Sequence, residues 1–179
     1  MPASARGGKV EEIPLPWHEV VAYYDPWIGT TQCESYAITW LSQNPAYLDK
    51  VDGGGWKLSG IEVWLRRGKR GKNGKKGRKG ARADLVFMRG KDYLVVEAED
   101  SWTERNILEG KKQAKRYARL LEAHLERMYP MHGKVLSAVA AVDFSSAEEN
   151  KYGYLCGQEW SAGQMKSRHS GVAVTTNSS

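Results

Sequence analysis

The sequence predicts a single α/β domain built on a mixed sheet, and three observations carry that prediction. Two short apolar runs at 83–88 and 93–96 are joined by the polar turn Arg89-Gly90-Lys91-Asp92, which is a β-hairpin signal. A long segment after them keeps one apolar stripe at helical spacing. A Val- and Ala-rich run at 134–144 then reads as a further buried strand. A chain of 179 residues with 41% hydrophobic and 27% charged residues is large enough to bury a core without disulfide staples.

Residues 1–16 are expected to be a flexible N-terminal segment, 17–160 the folded domain, and 161–179 a polar tail with little to bury. Residues 17–24 lead to a turn at Asp25-Pro26. Thr30 or Thr31 then caps a helix to about Gln43, carrying Tyr36, Ala37, Trp40 and Leu41 on one face and ended by Asn44-Pro45. A strand is expected over 56–65, with Leu58, Ile61, Val63 and Leu65 supporting it. Both faces of the hairpin are apolar, so its strands should sit centrally with helices or loops covering each side. Ser101-Trp102-Thr103-Glu104 has capping-box spacing and opens the longest helix. Its stripe is Ile107, Ala114, Tyr117, Ala118, Leu121, Leu125 and Met128, and Pro130 stops it. Residues 152–156 are a candidate edge strand.

The charge is distributed unevenly. Arg66, Arg67, Lys69, Arg70, Lys72, Lys75, Lys76, Arg78, Lys79 and Arg82 lie in one stretch without an acid, and subtracting these ten from the net +6 leaves −4 for the rest. A basic flexible loop on an acidic body is the pattern of phosphate contact, so these ten residues are the candidate nucleic-acid-binding set. Glycines at 68, 71, 74, 77 and 80 recur every third residue, but the run is short and proline-free, which favours a loop over a collagen-like segment.

Other classes are excluded by what is missing. The two cysteines, Cys33 and Cys156, have no CxxC spacing, and the four histidines form no metal-binding pattern. No nucleophile elbow or phosphate-cradling glycine motif occurs. No apolar run approaches the ~20 residues of a membrane span, and the first twelve residues lack a signal-peptide core. The expectation is a soluble cytoplasmic protein with no membrane partner.

The chemistry points to three acids. In the hairpin register Met88 faces Tyr93, Val86 faces Val95, and Asp84 faces Glu97. Glu97 and Glu99 share a face, since side chains alternate along a strand. Three carboxylates at the end of an apolar hairpin resist joint ionisation, and a divalent cation would relieve that cost. Hard oxygen donors suit Mg²⁺ or Mn²⁺.

These residues carry a family resemblance. Arg82-Ala83-Asp84-Leu85-Val86-Phe87 followed by Leu94-Val95-Val96-Glu97-Ala98-Glu99 resembles the D…(D/E)xK motif of the PD-(D/E)XK nuclease superfamily. Gln113-Ala114-Lys115-Arg116-Tyr117 is similar to the QxxxY motif of its RecB-like branch, and Glu34 resembles the upstream acid of many members, including archaeal Holliday-junction resolvases. The resemblance spans about residues 29–143 and implies a restriction-endonuclease-like αβββαβ core, a central mixed sheet flanked by helices. It implies a metal-dependent nuclease cutting DNA, as an exonuclease or a structure-specific endonuclease. In it Asp84, Glu97, Glu99, the carbonyl of Ala98 and Glu34 hold Mg²⁺ or Mn²⁺, and Gln113 and Tyr117 position the substrate or water. The family's lysine is Glu99 here, an ExE variant also found among active restriction endonucleases, and Lys112 on the long helix is a candidate replacement. Junction resolution would require a symmetric homodimer. The alternative is a catalytically inactive nucleic-acid-binding protein on a degenerate nuclease fold, motivated by the absent lysine.

Overall fold

The computed structural model describes residues 8–16, 19–20 and 33–143. Its elements are β1 (Glu11–Pro16), α1 (Cys33–Gln43), a 3-10 turn (Pro45–Leu48), β2 (Lys57–Arg66), β3 (Ala81–Arg89), β4 (Asp92–Glu99), α2 (Glu104–Met128) and β5 (Val135–Asp143). After β1 the order is αβββαβ, and the sheet is mixed, with strand order β1-β5-β4-β3-β2. The expected helix cap at Thr30 or Thr31, the turn at Asp25-Pro26, the candidate strand at 152–156 and the polar tail lie outside the described residues.

The central hairpin has the expected register: Val86 pairs with Val95 and Met88 with Tyr93, closing on Arg89 and Asp92 around a two-residue turn. β5 runs parallel to β4, as a strand must when a helical crossover returns the chain to the same end of a sheet. The two strand faces bury different sets. Leu85, Phe87, Leu94, Val96 and Ala98 pack with Tyr36, Ala37, Trp40 and Leu41 of α1. Val86 and Val95 pack with Ala118, Leu121 and Leu125 of α2. The sheet is therefore sandwiched between helices: the doubly apolar hairpin implied cover on both faces, and on both it is a helix.

Three expectations are corrected. Glu11–Pro16 falls inside the segment expected to be flexible, yet it pairs parallel with β5 and buries Ile13 and Leu15 completely. Its two prolines argue against a central strand, but an edge strand tolerates them because one side needs no ladder donors. The long helix begins two residues later than the capping box suggests: Thr103 is the N-cap, accepting from the Asn106 amide at 3.2 Å. The Trp102 amide is bonded to the Val142 carbonyl (2.8 Å), which keeps residues 101–102 docked on β5 rather than in the helix. At the far end Met128 is 59% exposed, because the last turn runs beyond the packed face that ends at Leu125.

The basic stretch is also more ordered than a loop. Lys69 and Arg78 form an antiparallel bridge, and the Lys75 amide donates to the Lys72 carbonyl (3.3 Å) across Asn73-Gly74. Asn73 and Gly74 have φ of 56° and 72°, the signs of a type I′ hairpin turn. Residues 67–80 are thus a two-stranded arm extending the β2–β3 hairpin. Trp56 is buried and Trp102 packs beside Ile107, while Trp64 at the base of the arm is 60% exposed.

Candidate active site

Five carboxylates meet where β4 ends and both helices begin. Asp84 and Glu97 are tied across the hairpin: the Asp84 amide donates to Glu97 Oε1 (3.2 Å), and the Ala98 amide donates to Asp84 Oδ2 (2.8 Å). One step beyond the Leu85–Val96 pair, this places Asp84 opposite Glu97 as the register requires. Glu97 is almost completely buried, at 4% exposure. Glu34, in the first turn of α1, reaches the same end of the sheet because its amide donates to Asp100 Oδ1 (3.2 Å).

The electrostatics report crowding without compensation. Burial, then the charge of Asp84, pushes the Glu97 carboxyl strongly upward, and burial likewise raises Asp84. Glu99 is raised to about 7 by burial and then by Glu34 and Asp84. Glu34 keeps solvent contact, yet partial desolvation and the charges of Asp84 and Asp100 raise it to about 7 as well. Asp100 is raised by burial. Arg82 is the cation that acts on this group, lowering Glu34 and Asp84, but it is half exposed, bonded to Glu62 at 3.4 Å and lies over the Trp64 ring.

Two residues of this end are not among the sequence candidates for the site. Asp100 continues the Glu97-Ala98-Glu99 run and ties α1 to the strand end; the unbroken acidic run was the available signal. Glu62 lies between the Ile61–Leu85 and Val63–Ala83 pairs, hence across from Asp84, and adds charge to both Asp84 and Glu34. Its φ of 51° is in the left-handed region, which costs a non-glycine residue about 1 kcal/mol or more and is often retained where a site needs it. Nothing in the local sequence signals that conformation.

The remaining candidates divide. Tyr117 is half-buried against the α2-side core, and burial followed by the Glu97 charge raises its phenol. Gln113 is exposed on α2. The Lys112 ammonium is bonded to Glu109 at 2.9 Å and is 61% exposed, which places it in a surface pair. Arg66 stands at the root of the arm, its guanidinium donating to the Lys79 carbonyl (3.2 Å). Gly110 lets α2 close on the cluster: a Cβ there would lie 2.5 Å from Val139 Cγ2 and 2.9 Å from Glu99 Oε1.

Oxygen-only donors on a desolvated acidic cluster have the chemistry of a Mg²⁺ or Mn²⁺ site. Among the described residues, however, no three such side chains stand in an arrangement ready to enclose a cation. Glu97 Oε1 and Asp84 Oδ2 each accept from a backbone amide. No helix among the described residues is long and apolar enough to cross a membrane. No family model matches the chain, and no curated protein or solved structure matches it.

Proposed function

We propose that this chain is a metal-dependent nuclease of the PD-(D/E)XK type that hydrolyses phosphodiester bonds in DNA. One observation carries the reading: Glu34, Asp84, Glu97, Glu99 and Asp100 share a desolvated sheet end in which each carboxyl is raised, beside a basic arm on the same hairpin system. An acidic cluster of this kind is unfavourable in isolation and gains from a cation, which would in turn attract a phosphate. Asp84, Glu97 and the Ala98 carbonyl would hold Mg²⁺ or Mn²⁺, flanked by Glu99 and Glu34. Bound there, a divalent cation supplies a polarised phosphoryl oxygen and a more acidic water.

The chain's own groups do the rest. Glu99 stands where the resemblance places a lysine, and as a carboxylate flanking the cation it would accept a proton from an attacking water. The Tyr117 hydroxyl orients a water or phosphate oxygen from the α2 side. Arg82, on the strand of Asp84, offers a cation to the phosphate flanking the scissile bond. The exposed arm holds the backbone on either side by charge.

Cleavage of labelled single-stranded, double-stranded and four-way-junction DNA tests this, with Mg²⁺, Mn²⁺ or EDTA, for the native chain and Glu97→Gln. Metal-dependent cutting lost in the variant supports the nuclease. A second reading, an inactive binder on a degenerate nuclease fold, is favoured by Glu99 in place of lysine and by carboxylates turned to backbone amides. Salt-sensitive binding with no cutting under either metal would select it.

A further inference from the structure

We infer that the arm at 67–80 is a groove-reading ribbon, and that it makes double-stranded B-form DNA the nucleic acid this chain engages. The inference rests on the reading above in taking the bound duplex as substrate. It stands on three features of the arm itself.

First, the arm is a thin two-stranded ribbon. The Lys69–Arg78 bridge and the Asn73-Gly74 turn hold the two legs together, and legs of about seven residues at ~3.3 Å each reach roughly 20 Å from the sheet. Second, the glycine period has a geometric cause. Gly71 and Gly77 face each other across the legs, where a Cβ on Gly71 would collide with the Lys75 carbonyl and one on Gly77 with the Lys69 carbonyl. Gly71 and Gly77 are therefore bare where the legs close on each other, Gly74 supplies the left-handed turn, and the residues between are exposed. Third, those exposed residues are basic and unspent. Eight lysines and arginines lie in 67–80 with no acid among them, the segment is exposed up to Lys79, and none of the eight is ion-paired among the described residues.

A two-stranded ribbon fits the B-DNA major groove, which is ~12 Å wide and ~8.5 Å deep. The A-form RNA groove is too deep and narrow for side chains to read, and a single strand offers no groove. The arm grows from β2 and β3, so a duplex on it passes the end of β3 that carries Arg82 and Asp84. Exposed Trp64 sits at the root, next to Gly80 and under Arg82.

The test is fluorescence anisotropy of the full chain in EDTA, so that no cutting intervenes, with one sequence as duplex DNA, duplex RNA and single-stranded DNA, and heparin as a grooveless polyanion. The expected result is duplex DNA bound at least about tenfold more tightly than the others near physiological salt. Gly71→Val/Gly77→Val keeps every charge but splays the legs, and should erase the preference while leaving the salt dependence. Lys72→Gln/Lys75→Gln/Lys76→Gln should lower the slope of log affinity against log salt by about 3. Equal affinity for duplex RNA or heparin, or a preference that survives the valine pair, overturns the ribbon. Cleavage with metal is scored separately. Cutting without duplex preference sinks the arm and keeps the nuclease, whereas duplex preference without cutting keeps the arm and sinks the nuclease.

Discussion

The two ends of the β3–β4 hairpin carry the same residue type in opposite electrostatic states. At the turn end, Asp52 and Asp92 share Arg89, at 2.6 Å and 3.0 Å, and the Arg89 guanidinium lies over Trp56. Asp92 also accepts from the Lys134 amide (2.9 Å), tying β4 to the start of β5. Partial burial pulls Asp92 upward, but these bonds outweigh it, and both carboxyls lie below their ordinary value. At the other end the carboxyls of Glu34, Asp84, Glu97, Glu99 and Asp100 are all raised, burial being the largest cause. A carboxylate that serves the fold comes with its cation supplied by the chain. A group of carboxylates left short of one is instead a place where a cation can bind favourably.

The sharpest way to break this contrast is to neutralise one acid at each end. Glu97→Gln should reduce metal-dependent cleavage by at least about a hundredfold without lowering the melting temperature at pH 8. If cutting persists, Glu97 is a structural acid and the contrast fails. Gly110→Ala follows in size. Alanine gains about 1 kcal/mol of helix propensity, but overpacking against Val139 and Glu99 costs about 1–3 kcal/mol, so a net loss in urea unfolding is expected. A neutral or stabilising result would mean that α2 does not press on Glu99.

Asp92→Ala should lose about 1–2 kcal/mol at pH 7, since it strips bonds from Arg89 and the Lys134 amide. The pH windows of the two ends should also have opposite sign. Asp92 is depressed, so its contribution is present at neutral pH and is lost as pH falls below the ordinary 3.8 through its folded value. Glu34 and Glu99 are raised, so the unfolded chain ionises them first. The native state then weakens as pH rises from 4.5 to about 7, and stays weakened above that. Thermal melts in EDTA should show this decline, Glu99→Gln should flatten it, and Mn²⁺ at pH 8 should reverse it by binding the folded state. A melting temperature flat between pH 5 and pH 8 in EDTA would contradict the crowding. Smallest of all, Lys112→Ala should leave cutting and the melting temperature within about 1 °C of the native chain, as expected of an exposed pair with Glu109. A large loss of cutting would restore Lys112 as the replacement cation.

Much of the fold was legible. The hairpin register follows from turn length and apolar pairing, and that alone places Asp84 across from Glu97. The α2 stripe was legible because a helix that covers a sheet must repeat its apolar residues. β1 was not, because two prolines in six residues contradict strand propensity, and only its place at the edge, against β5, makes them acceptable. The arm's order was hidden because its glycines read locally as flexibility, while their purpose is the close approach of a second leg.

The candidate site divides along the same line. Alternation along β4 is a covalent consequence of chain geometry, so the sequence alone determined that Glu97 and Glu99 share a face and that the basic residues form one contiguous run. The meeting of Glu34 and Asp100, the left-handed Glu62 across from Asp84, the close approach of Gly110 to Glu99 and the surface pairing of Lys112 were decided by tertiary structure. Each depends on where a distant segment packs. Packing is set by the burial of the whole sheet between two helices, and no local pattern encodes it.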